Sequence, residues 1–153
     1  MKKLLLLLML FSTPVMAVEP IVGAFGFKLG DVWDGEAIAT FEKDGYFMHG
    51  FIPDSPLDAF NRYSVDVTPV KGLIFKIEAY KDGSCNSQFK ALKQALGKKY
   101  GEGVRDPSGH IWTQGNRSIT LYCWNTLRLT YWDQAIYESR IDELEAQVDS
   151  ADL

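Results

Sequence analysis

The sequence predicts an α+β fold of mainly antiparallel sheet built from hairpins, with two amphipathic helices at about 87–100 and 134–148. Three observations predict it. Several runs alternate apolar and polar residues with a period of two, short turn signals separate them, and two stretches switch to a period near 3.6. The strand links suit hairpins and are too short for parallel crossovers. The order resembles a strand-strand-strand-helix unit used twice, without a residue-by-residue match between the halves.

The first segment is not part of that fold. Lys2 and Lys3 precede an unbroken apolar run from Leu4 to Phe11, followed by Ser12-Thr13-Pro14 and the small-residue site Val15-Met16-Ala17. This is the pattern of a secretory signal peptide cut after Ala17, and its eight apolar residues are well short of the ~20 that span a bilayer. No cysteine follows the run to carry a lipid anchor. Residues 18–153 are then expected as a single exported domain.

In the mature segment, Gly23, Gly26 and Gly30 punctuate an expected N-terminal strand with Phe25, Phe27 and Leu29 on one face. Their spacing fits no phosphate-binding loop. Asp44-Gly45 between Ala39–Lys43 and Tyr46–His49 signals a hairpin, because both central positions of a type I′ turn need positive φ. Leu57 to Arg62 is expected as one helical turn. Tyr63–Thr68 and Leu73–Lys81 then form a second hairpin about Pro69–Gly72, with Leu73, Phe75, Ile77 and Ala79 on one face and Lys76 and Glu78 on the other.

Phe89, Leu92, Leu96 and Tyr100 form one helical stripe, with Asn86 or Ser87 as cap and Gly101 as terminator. Glu102–Gly109 reads as loop, and His110–Thr113, Ser118–Trp124 and Leu127–Trp132 read as strands. If Asn125-Thr126 is a two-residue loop, Thr120 and Tyr122 share a face with Leu129 and Tyr131, while Ile119, Leu121 and Cys123 share the other with Arg128, Thr130 and Trp132. The last helix places Tyr137, Ile141, Leu144 and Val148 at spacings of four, three and four. Its acids, Glu138, Asp142, Glu143, Glu145 and Asp149, read as a solvated face or an acidic surface for a cationic partner.

Composition narrows the function. The 153 residues carry a net charge of −4, and loss of the leader with its two lysines makes it −6. Nucleic-acid binding needs a basic face, so no nucleic-acid partner is expected. In an oxidising compartment Cys85 and Cys123 are expected as a disulfide, stabilising the fold by roughly 4 kcal/mol in the chain-entropy account. His49 and His110, the two histidines, lie in no catalytic or metal-binding motif, and no calcium loop is present in the sequence. No catalytic residue, metal or cofactor is therefore expected. A carboxylate hydrolase using Asp31 or Asp34 near Trp33 is the least favoured alternative.

Aromatic residues make up 13% of the chain, well represented in the C-terminal strands, and this directs attention to Trp112, Tyr122, Trp124 and Trp132. Such residues either fill a two-sided core or present a stacking surface to a partner. Phe25-Gly26-x-x-Leu29-Gly30, Tyr63-x-Val65-x-Val67-Thr68-Pro69, Leu73-Ile74-x-x-Ile77 and a single Cys85 before a helix ending Lys99-Tyr100-Gly101 resemble a group of small exported proteins of Gram-negative bacteria. That resemblance implies a periplasmic location and carries over no catalytic residue. The expected function is a non-enzymatic binding or inhibitor-like module for another envelope protein, with no stable membrane insertion after cleavage. The alternative is a binder of a small ligand or cell-wall glycan.

Overall fold

The computed structural model describes residues 17–107 and 109–151; the expected leader lies outside them apart from Ala17. The chain enters through a small hairpin, β1 (Gly23–Ala24) and β2 (Phe27–Lys28). The expected single strand is interrupted because Phe25 and Gly26 adopt φ of 56° and 91°, a turn conformation that glycine tolerates. The strands β3 (Ala39–Lys43), β4 (Tyr46–Phe51), β5 (Arg62–Val67) and β6 (Ile74–Asp82) then form a meander. The segment before β5 is a turn and not a helix: Phe60 N donates to Leu57 O at 2.9 Å, and the Tyr63 hydroxyl bonds both the N–H and the C=O of Leu57.

Helix α1 (Asn86–Tyr100) follows, then β7 (Val104–Asp106), β8 (Gly109–Gln114), β9 (Arg117–Cys123), β10 (Thr126–Asp133) and helix α2 (Gln134–Ala151). The short β7 replaces part of the expected loop. The eight strands from β3 to β10 form one antiparallel sheet in the order β3-β4-β5-β6-β10-β9-β8-β7. The recurring unit is thus four strands and a helix, not three. The two helices lie on opposite faces of the sheet, so the halves are not related by a simple two-fold rotation.

The inner face carries Val65, Ile77, Ala79, Ile119, Leu121 and Leu129, all with at most 3% exposure. Leu96 and Tyr100 of α1 and Ile21 and Leu29 of the N-terminal segment belong to the same core. Polar side chains hold that segment in place. Gln114 accepts a hydrogen bond from Ile21 N at 2.7 Å and donates to Glu19 O, while Arg117 donates to the carbonyls of Ile21 and Leu29. Arg117 also pairs with Asp133, whose other carboxylate oxygen accepts Ile136 N and caps α2. The disulfide Cys85–Cys123 ties the start of α1 to the end of β9. Cys85 itself occupies the cap position, and neither Asn86 nor Ser87 caps the helix.

Two register features sort the outer face. Val67 pairs with Ile74 but Asp66 pairs with Lys76, so Phe75 is an extra, bulged residue. It leaves the face of Ile77 and packs under α2, its ring 5.3 Å from Tyr137 and 5.5 Å from Trp132. The second feature is the β9–β10 connection. Leu127 pairs with Cys123, leaving three residues, Trp124–Thr126, between them and not two. One residue exchanges the faces of a strand. Leu127, Leu129 and Tyr131 therefore join Ile119 and Leu121 inside, while Thr120 and Tyr122 join Arg128, Thr130 and Trp132 outside.

Candidate functional site

Helix α2 covers only part of the outer face. Leu144 approaches Gly45 closely enough that a Cβ there would lie 2.8 Å from its methyl carbon, which seats the helix over the β3–β4 turn. Glu143, one of the acids expected on a solvated face, is 5% exposed. Its Oε2 accepts the N–H groups of Val70 and Lys71 at 3.0 and 3.1 Å, closing the β5–β6 turn. The acids of α2 thus divide by role, and this one docks the helix onto the sheet.

Beyond α2, the outward side chains of β6, β9 and β10 form a broad, shallow trough of about 730 Å³. Thr120, Thr130, Glu78 and Arg128 line it, and Tyr122, Trp124 and Trp132 bring aromatic surface to it. The alternation that builds the inner core with leucine and isoleucine necessarily aims the intervening threonines and arginine outward. Thr130 donates to Glu78 Oε2 at 3.2 Å, and Arg128 Nε lies 3.9 Å from Glu78 Oε1. The Trp132 ring lies 4.7 Å from Tyr137, and its indole N–H donates to Gln134 at 2.9 Å. Trp124, in the loop after β9, is 74% exposed.

Charges continue beneath this surface. Lys76 Nζ is 2.6 Å from Asp66 Oδ2, and the Asp66 side chain is 1% exposed. Burial raises the Asp66 pKa above the usual carboxylate value, and Lys76 only partly offsets it. Burial also opposes the charge on Lys76, yet Asp66 and Glu78 together hold its ammonium above the ordinary lysine value. The line Asp66, Lys76, Glu78, Arg128 therefore alternates in sign from β5 to β10. At the start of β10, Thr126 bonds Asp82, which also pairs with Arg62.

Three of the four aromatics singled out by sequence meet at this trough: Tyr122, Trp124 and Trp132. Trp112 does not. It lies on the inner face, 3% exposed, with its indole N–H donating to Gly101 O at 2.8 Å, so the core claims both its ring and its polar atom. Sequence reasoning missed Glu78, Thr120, Arg128 and Thr130 as trough residues, although their alternation with apolar neighbours marks a one-sided strand. His49 stacks at 5.5 Å on Trp33 and bonds Thr40, and His110 is buried against Trp112. Burial lowers the pKa of each. Asp31 and Asp34 are exposed residues of the N-terminal segment. Among the described residues, no group of three or more His, Cys, Asp and Glu side chains is arranged to hold a metal ion.

Fold and site together define a disulfide-tied α+β protein whose sheet is packed on one face and partly open on the other. No helix among the described residues is long and apolar enough to cross a membrane. No family model, curated protein or solved structure matches the chain.

Proposed function

We propose that the protein is a non-enzymatic periplasmic binding module that engages another envelope protein through the open part of its outer sheet face, as an inhibitor does. The supporting observation is the trough itself: Trp124, Tyr122 and Trp132 stand over a hydrogen-bonding surface that is wide and shallow. Protein interfaces have this form, and tryptophan and tyrosine are prominent among the residues that dominate their binding energy. The leader motif and the disulfide suit an exported protein. The reading calls on no cofactor.

The test uses the purified protein, disulfide intact, as bait in periplasmic extract from its native host. Trp124→Ala removes an exposed side chain and should weaken capture of the partner at least ~30-fold, the effect of a binding hot spot. Failure to recover any protein whose capture depends on Trp124 would overturn the proposal. A second reading rests on the hydroxyls of Ser118, Thr120 and Thr130 between aromatic rings, a pattern suited to a glycan chain. Saturable quenching of Trp124 fluorescence by soluble cell-wall fragments would favour that reading over a protein partner.

A further inference from the structure

We infer that a second copy of this chain pairs with β3 edge to edge, joining two eight-stranded sheets across a two-fold axis. The two edges of the sheet differ sharply. An edge strand presents unpaired N–H and C=O groups, and proteins ordinarily shorten, charge or interrupt such strands to prevent pairing. The β7 edge follows that practice: it has three residues, lies between Gly103 and Pro107, and places Arg105 at its centre. The β3 edge has five residues, Ala-Thr-Phe-Glu-Lys, all exposed and none a proline. Ile38, Phe41 and Ile52 beside it are 65%, 56% and 74% exposed and border an apolar trough of about 540 Å³.

Backbone parity sets the register of this pairing. Asp44 and Gly45, at φ of 46° and 74°, close a two-residue hairpin, so the flanking Lys43 and Tyr46 form a hydrogen-bonded pair. Alternation directs the backbone groups of Phe41 toward β4 as well, and those of Thr40 and Glu42 away from it. A two-fold-related β3 then bonds Thr40 to Glu42 of the second copy and Glu42 to its Thr40. Phe41 faces Phe41 of the second copy in the close, non-hydrogen-bonded position. Sliding the strands by two residues opposes Glu42 to Glu42 in one direction and Glu42 to Ile38 in the other. Like charge and apolar mismatch disfavour both, so the Phe41-centred register is selected.

This pairing uses an edge strand that does not line the β9–β10 trough and leaves that trough free, so it stands or falls separately from the proposed function. Sedimentation equilibrium of the purified, disulfide-intact protein from about 1 µM to about 500 µM tests it. Self-association to a dimer is expected across that range. Phe41→Glu opposes like charges across the axis, and Thr40→Pro removes an outward N–H while keeping the backbone bonds to β4 and giving up only the exposed side-chain bond to His49; both should remain monomeric with unchanged far-ultraviolet circular dichroism. A monomeric wild-type protein throughout the series, or a dimer that survives both substitutions, would overturn the inference.

Discussion

Trp112 and Trp124 lie on neighbouring strands and their connections yet belong to different environments. Trp112 is 3% exposed on the inner face, ring and N–H both satisfied, whereas Trp124 is 74% exposed at the rim of the outer trough. The same residue type therefore serves packing on one face and availability on the other. The wider contrast follows the same line. The inner face is apolar under α1 and the N-terminal segment, while the outer face carries threonines, Glu78 and Arg128 in the open trough and the buried Asp66–Lys76 pair next to it. Stability should follow the first face and binding the second.

The largest expected effect on stability is on the inner face. Trp112→Ala removes a buried ring and should cost about 3–5 kcal/mol, read as a shift in the denaturant midpoint. Loss of less than about 1 kcal/mol would place the ring outside the core. Next comes the seat of α2. Glu143→Ala leaves the Val70 and Lys71 N–H groups without their carboxylate and should cost about 1–3 kcal/mol, with Glu143→Gln recovering part of it. Equal losses in both variants would show that the carboxylate's acceptor role is not what docks the helix.

A smaller, pH-dependent effect comes from Tyr131 on the inner face. Burial raises its phenol pKa, and hydrogen bonding with Tyr100 adds to the shift, whereas an unfolded tyrosine ionises near 10.0. Above that pH the unfolded chain loses a proton that the folded chain retains, so stability falls as pH rises. Tyr131→Phe should flatten this alkaline decline in denaturant melts between about pH 9 and about pH 11. An unchanged slope would show that another group causes the alkaline decline. Trp124→Ala should change stability least, within about 0.5 kcal/mol, and this is what makes it a clean probe of binding.

The fold class was legible because Asp44-Gly45, the alternation through Tyr63–Val67 and the stripe Phe89, Leu92, Leu96, Tyr100 are local signals. Register was not. A third residue in the Trp124–Thr126 loop, and the bulge at Phe75, depend on which pairing best buries apolar side chains across strands distant in sequence. The expected two-residue loop mixed Thr120 and Tyr122 with Leu129 and Tyr131; the observed register separates them and thereby forms the trough. Glu143 was illegible for a related reason, since the turn it closes lies 73 and 72 positions away. The strand β7 has only three residues, too few to show a period.

Binding through the open sheet face is tested by quantitative mass spectrometry of periplasmic proteins retained by three baits: wild type, Trp124→Ala/Tyr122→Ala, and Phe41→Glu. The first variant alters the trough and the second alters only the far edge of the sheet. At least one protein should be retained equally by wild type and Phe41→Glu and reduced about 30-fold or more on the double variant. A retained set that is the same on all three baits, or no retained protein at all, would contradict a binding role for the open sheet face.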